Sequence, residues 1–198
     1  MLAKAFDLFL SVVIARAWRR SHLERVQGRV LEVGGGSGLS LSCYPRSGWT
    51  ELVLLDLDQE MLALAAQRKL PGGQPLTVCQ GNVEALPFEA GAFDTVVAQF
   101  LFCGVGNPVQ GLRECRRVLA PGGRLFLLEH VRSDHWLLGP LLDALNVLTS
   151  RLFADRFNQR VEPLVTEAGW RVVERRDLFL DVIRLLEAVP QETEAPKA

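Results

Sequence analysis

The stretch Arg29-Val30-Leu31-Glu32-Val33-Gly34-Gly35-Gly36-Ser37-Gly38 decides the fold. A short apolar run ends beside an acidic residue and opens at once into a glycine-rich turn. Glycine there lets the backbone turn sharply and approach a ligand that a Cβ would exclude, with a helix N-terminus expected to follow. The spacing is G-x-G-x-G, not the G-x-G-x-x-G of a dinucleotide site, which disfavours a nicotinamide-dependent oxidoreductase. Working outward, apolar runs recur at Leu52–Asp56, Leu76–Gln80, Asp94–Ala98 and Gly123–Glu129, with helix-like segments between them. Such alternation predicts βαβ units and a parallel sheet. Pro71-Gly72-Gly73 and Ala120-Pro121-Gly122-Gly123 supply turns before the third and fifth strands. Further on, a leucine-rich helix is expected over about Trp136–Phe153 and another near Gln159–Ala168, closed by Gly169. Two strands, Arg171–Arg175 and Phe179–Leu185, complete the pattern.

Composition narrows the partners. The chain has 198 residues, 48% of them hydrophobic and 23% charged, enough apolar material for a full core. Its 22 basic and 23 acidic side chains leave a formal charge of -1, so no basic field exists to hold nucleic acid. Cys43, Cys79, Cys103 and Cys115 form no C-x-x-C pair, and His22 and His135 lack ligand spacing, so no metal site is expected. The long uncharged stretch Thr95–Leu112 is broken by Gly104, Gly106, Asn107 and Pro108 and reads as strand and loop, not as a membrane span. Phe6, Phe9, Leu10, Val13, Ile14, Ala17 and Trp18 fall at steps of three and four, predicting an amphipathic helix over about residues 3–20. Its arginines follow the apolar run instead of preceding it, unlike a secretion signal, so a cytoplasmic protein is expected. The expected organisation is this helical element over 1–27, one domain over 28–190 and a flexible tail over 191–198.

Asp56 closes the second strand, where a carboxylate can accept hydrogen bonds from both hydroxyls of a ribose. Asp58 is placed to cap the helix whose apolar residues begin at Met61-Leu62. Taken in order, E-V-G-G-G-S-G from Glu32, L-L-D-L-D-Q-E-M-L from Leu54, G-N-V-E-A-L-P-F-E-A-G-A-F-D from Gly81 and R-R-V-L-A-P-G-G-R-L from Arg116 resemble class I S-adenosylmethionine-dependent methyltransferases. Within that family the likeness is to the branch containing ubiquinone and menaquinone C-methyltransferases, and it covers about residues 28–130. The resemblance implies a three-layer α/β sandwich, Rossmann-like, around a mostly parallel seven-stranded sheet whose last strand is antiparallel. It also implies that Glu32 and the loop glycines Gly34, Gly35, Gly36 and Gly38 line the methionine part of the cofactor S-adenosylmethionine, and that Asp56 holds its ribose. By the same resemblance Leu57 flanks the adenine and Val83 offers its backbone amide to an adenine nitrogen. Asn82 stands where many relatives carry aspartate, and its amide oxygen can still accept from the adenine amino group. Leu86-Pro87-Phe88 reads as a structural turn. Cys43-Tyr44-Pro45, Phe100–Val105, Glu129-His130-Val131 and Asn158-Gln159-Arg160 resemble words in small methyltransferases related to membrane-associated alkyl thiol methyltransferases.

Methyl transfer from a sulfonium is an in-line displacement, so the protein's first task is to align the acceptor. The site belongs at the carboxyl ends of the strands, which puts Gln99 and His130 beside it. His130 is the candidate base, since an ordinary imidazole exchanges protons near neutrality; the plainer reading is a histidine hydrogen-bonded behind the site. Glu129 either orients that imidazole or caps the strand end. An apolar Trp136–Phe153 segment implies a small hydrophobic acceptor: a quinone, a lipid amine or a thiol. The N-terminal helix is expected either to close over the cleft or to lie on an anionic membrane surface. The competing function class is a catalytically silent cofactor-binding partner.

Overall fold

A computed structural model describes residues 15–131, 161–178 and 181–191. In chain order the elements are α1 (Ala15–Leu23), β1 (Gly28–Val33), a 3-10 turn (Leu41–Cys43), β2 (Trp49–Asp56), α2 (Gln59–Ala65), β3 (Leu76–Gln80), β4 (Phe93–Gln99), α3 (Pro108–Val118), β5 (Leu119–His130), α4 (Val161–Glu167), β6 (Trp170–Leu178) and β7 (Ile183–Pro190). The strands form one seven-stranded sheet in the order β3-β2-β1-β4-β5-β7-β6. β1 to β5 run parallel where they pair, and β7 lies antiparallel between β5 and β6. The predicted Rossmann-like sheet and its antiparallel last strand are therefore what the chain forms.

The inner strands are buried on both faces, which is why they read as nearly unbroken apolar runs. Their alternation sorts two cores. Leu31, Val33, Val96, Leu125 and Leu127 pack with Leu112, Cys115 and Val118 of α3 and Val161 and Val165 of α4. On the opposite face Val30, Leu52, Leu54, Val97 and Phe126 pack with Leu23 of α1, Leu62 and Ala65 of α2, and Leu41. Helices on both sides of the sheet make the three layers.

Local chemistry sets the boundaries. Asp58 caps α2 as expected, accepting from the amides of Glu60 at 2.8 Å and Met61 at 3.2 Å. Asn107 caps α3 through Gln110 N at 3.1 Å, with Pro108 in the first turn. The Leu86-Pro87-Phe88 turn is structural: Arg117 donates to the carbonyls of Leu86 and Phe88, Glu114 accepts from Leu86 N, and Phe88 meets Phe93 edge-on at 5.0 Å.

Three boundaries correct the expectation. The last strand is Ile183–Pro190, not Phe179–Leu185, because the turn through Asp181, at φ 58, interrupts that run. β6 runs on to Leu178 through Glu174-Arg175-Arg176-Asp177, a charged run that an edge strand carries readily. Its charges are paired, Arg176 with Glu174 and Arg175 with Asp177, each at 2.6 Å. The N-terminal helix continues past residue 20 to Leu23, whose side chain is fully buried. Residues 1–14, the Trp136–Phe153 segment, His135, Asn158-Gln159-Arg160, Phe179 and the tail from 192 lie outside the described residues. Among the described residues, no helix is long and apolar enough to cross a membrane.

Candidate functional site

The glycine turn leaves β1 at the carboxyl edge of the sheet. Gly34 N and Gly35 N both donate to Leu55 O of β2, at 2.8 and 3.2 Å, so the loop is fastened to the neighbouring strand. Gly34, Gly36 and Gly38 hold φ of 67°, 52° and 73°, a region closed to most side chains. The surroundings distinguish them. A Cβ on Gly34 would meet Leu101 at 2.6 Å and one on Gly35 would meet Leu54 at 2.4 Å, whereas one on Gly36 finds only Asp56 Oδ2, at 4.0 Å. Gly34 and Gly35 are thus needed for packing, and Gly36 faces open space.

Asp56 sits across that space. Its Oδ2 accepts from Gly36 N at 2.7 Å and its Oδ1 from Asp58 N at 2.9 Å. Two amides orient the carboxylate without exhausting its acceptor sites. Leu57 beside it is 67% exposed, an apolar side chain left uncovered at the sheet edge. After β3, Asn82 Oδ1 accepts from Glu84 N at 2.9 Å, so its amide first shapes its own turn. Val83 turns its side chain into the core against Phe102 and Gly111.

A second group gathers on the α1 side of the sheet, because Glu32, Gln99 and His130 follow Val30, Val97 and Leu128 by two on their strands. Glu32 is buried and accepts from Tyr44 Oη at 3.0 Å. Burial pushes its carboxyl above the usual range, opposed by the Ser40 and Tyr44 hydroxyls and by Arg19. Gln99 is 7% exposed, and neither its amide nitrogen nor its amide oxygen has a hydrogen-bond partner among the described residues. Phe100 has φ 55, strained for an aromatic residue, and its amide donates to Leu128 O at 2.7 Å. Its ring lies 4.4 Å from the His130 imidazole on one side and 5.5 Å from the Arg19 guanidinium on another.

Glu129 Oε1 accepts from Leu101 N at 3.1 Å and Phe102 N at 3.0 Å, so this side chain fastens the loop after β4. Burial pushes its carboxyl up to about 7 against the pull of those amides. The structure thus brings the sequence-named residues to one edge and splits them into a loop group around Asp56 and a face group around Glu32, Gln99 and His130. Arg19 and Tyr44 join the second group. Tyr44 was visible only as part of a Y-P word, and Arg19 carried no signal beyond a basic helix end. Among the described residues no cluster of histidine, cysteine, aspartate and glutamate suits a metal ion.

Comparison with known proteins agrees with this layout. A methyltransferase domain model matches residues 31–127. The ubiquinone/menaquinone biosynthesis C-methyltransferase UbiE of Rhizobium johnstonii is 35% identical over 72% of this chain and 60% of its own length. The demethylmenaquinone methyltransferase of Thermus thermophilus is 36% identical over 65% of this chain and 62% of its own. The chain therefore spans about three fifths of the length of these curated relatives. Among solved structures, an S-adenosylmethionine-dependent methyltransferase from Methanosarcina mazei superposes with a TM-score of 0.66 at 20% identity, covering 86% of this chain and 95% of that one, a likeness of fold.

Proposed function

The chain belongs to the class I S-adenosylmethionine-dependent methyltransferases, and we propose that it moves the cofactor's methyl group to a small hydrophobic acceptor, a carbon of a reduced quinone ring first among the candidates. S-adenosylmethionine is the methyl donor of this family. The observation that carries the reading is the open space at Gly36 facing the oriented carboxylate of Asp56, with the unpartnered Gln99 amide on the next strand but one. A buried amide with no partner is costly and calls for one. The residues present therefore fit the cofactor: Gly36 would admit its close approach, Asp56 would accept from the ribose hydroxyls, Leu57 would cover the adenine, and the loop at Asn82 and Val83 would receive its polar edge.

When bound, the sulfonium supplies an already activated methyl group. The chain's own work is then to orient the acceptor and to take the proton that a ring carbon or hydroxyl releases on methylation. We assign that proton to His130, at the end of β5 with its ring set against Phe100. The quinone preference rests on the names of the relatives at 34–36% identity. A thiol or an ammonium must also lose a proton, but it can do so to solvent before the transfer, so such an acceptor would depend less on His130.

Two measurements test the reading. Calorimetric titration with S-adenosylmethionine, S-adenosylhomocysteine and NAD should show binding of the first two; binding of NAD alone overturns the assignment. Incubation with methyl-labelled cofactor and a panel of quinols, thiols and lipid amines should label a quinol. Tight cofactor binding with no product from any acceptor would favour the catalytically silent partner instead.

A further inference from the structure

On the α1 face, Arg19 Nε and both polar atoms of the Gln99 side chain are buried without a hydrogen-bond partner among the described residues. One such side chain would be an ordinary exception; two beside one carboxylate, Glu32, amount to a lining that awaits a polar ligand. The lining has both signs. Glu32 is anionic when ionised, and Arg19 is a cation within electrostatic reach of it. Arg19 is held in place from two directions. Its guanidinium lies over the Phe100 ring at 5.5 Å, and the backbone of its helix is tied to the 3-10 turn where Arg16 O accepts from the Cys43 thiol at 3.8 Å.

A ligand that satisfies a carboxylate on one side and a guanidinium with an amide on the other is a zwitterion. The amino-acid end of the cofactor is one, carrying an ammonium and a carboxylate on the same carbon. We infer that Arg19 of α1, with the Gln99 amide, receives the carboxylate of the cofactor's amino-acid end while Glu32 faces its ammonium. Guanidinium meets carboxylate through two parallel hydrogen bonds, and the amide nitrogen of Gln99 adds a third donor. α1 is then part of the cofactor site and not merely a cover on the sheet. This inference rests on the methyltransferase reading above.

The test compares three nucleosides on the intact chain and on Arg19→Gln and Arg19→Lys. S-adenosylmethionine and S-adenosylhomocysteine both carry the amino-acid end; 5′-methylthioadenosine keeps the adenine, ribose and thioether but lacks it. Titration calorimetry should show Arg19→Gln weakening the first two by a similar factor, about 10- to 100-fold, with Arg19→Lys between wild type and Arg19→Gln. Binding of 5′-methylthioadenosine should stay within about threefold of wild type, which also shows that the variant is folded. Unchanged affinity for S-adenosylhomocysteine in Arg19→Gln would overturn the inference and send Arg19 to an acceptor anion. A loss shared equally by 5′-methylthioadenosine would overturn it in favour of a purely structural helix contact. Tighter S-adenosylmethionine binding in the variant, with no change for S-adenosylhomocysteine, would also overturn it, since Arg19 would then act by repelling the sulfonium. If wild type binds none of the three, the methyltransferase reading itself fails, and that outcome differs from the others.

Discussion

Replacing Glu129 by glutamine tests how the loop beside the glycine turn is held. The carboxyl of Glu129 is buried and accepts two backbone amides, from Leu101 and Phe102. The amides favour the ionised form and burial favours the neutral one; burial wins, taking the group from its ordinary 4.5 to about 7. A pKa raised on folding means the folded chain holds the proton more tightly than the unfolded one. Its contribution to stability is therefore complete below about pH 4.5 and is lost as pH rises towards 7. The full window spans about 2.5 pKa units, or about 3 kcal/mol, of which about 2 kcal/mol falls between pH 5 and 7. Glutamine keeps an oxygen for the same two amides and cannot ionise. Glu129→Gln should therefore gain about 2 kcal/mol relative to wild type as pH goes from 5 to 7, whatever the offset between the two proteins at pH 5. Urea unfolding followed by tryptophan fluorescence, with Trp170 buried in the core as reporter, reads that difference at each pH. A difference that stays constant from pH 5 to 8 would refute the reasoning, because the amide pair would then be holding the carboxylate at its ordinary value.

The glycine turn should separate folding from binding: Gly35→Ala, driving a Cβ into Leu54, should destabilise by about 1–3 kcal/mol in the same urea assay. Gly36→Ala meets no close atom and should cost about 1–2 kcal/mol for its backbone alone, yet weaken S-adenosylmethionine far more than Gly35→Ala does; equal effects of the two on binding would count against a cofactor at Gly36. His130→Ala should lower turnover with the true acceptor by about 100-fold or more while cofactor affinity stays within about threefold, and near-wild-type turnover would remove His130 from the chemistry. His22 is buried edge-on to Phe126 at 5.5 Å, and burial lowers its imidazole to about 3. That depressed value contributes stability above pH 6.5 that is lost as pH falls, so wild type should lose about 2 kcal/mol relative to His22→Leu between pH 6.5 and 5; parallel curves would contradict it.

The fold was legible because its signals were local and redundant. The inner parallel strands had to be apolar on both faces and turn chemistry punctuated the pattern, so Leu76–Gln80 was placed to the residue and Leu52–Asp56 missed only the first three residues of β2. β6 was not legible beyond Arg175, because its charges pair with one another and with Arg25 from the turn after α1 instead of alternating with apolar residues. β7 was displaced because apolar residues continue from Phe179 across a turn that only the left-handed backbone of Asp181 betrays. In the candidate site, the glycines and Asp56 were visible as types at positions, since the left-handed turn favours glycine and the carboxylate at the end of β2 ties it through Gly36 N. Tyr44 and Arg19 could not be read in the same way: a tyrosine after a 3-10 turn and an arginine on a helix are ordinary until the fold stacks them against Glu32 and Phe100.

That stacking also bears on the two expected roles of the N-terminal helix. A helix that lies on a membrane must offer lipid an apolar side. In α1 the apolar side is already used: Leu23 is fully buried, His22 packs on Phe126, and Trp18 joins the cluster of Leu128, Ile183 and Leu185. What remains exposed over Arg16–Glu24 is Arg16, Ala17, Arg20 and Glu24, a polar surface of mixed charge. Over Ala15–Leu23, then, attraction to an anionic surface would have to come from arginines alone, while the opposite side of the same helix lies on the strands that carry Gln99 and His130. Docking on the sheet and covering the proposed cofactor end are one geometry, since Trp18 packs on the cluster of Leu128, Ile183 and Leu185 while its neighbour Arg19 lies over the Phe100 ring. A variant that unseats Trp18, such as Trp18→Ala, should therefore weaken cofactor binding as well as stability, with S-adenosylhomocysteine losing more than 5′-methylthioadenosine. Equal losses for the two nucleosides would detach the helix from the cofactor and leave it a packing element.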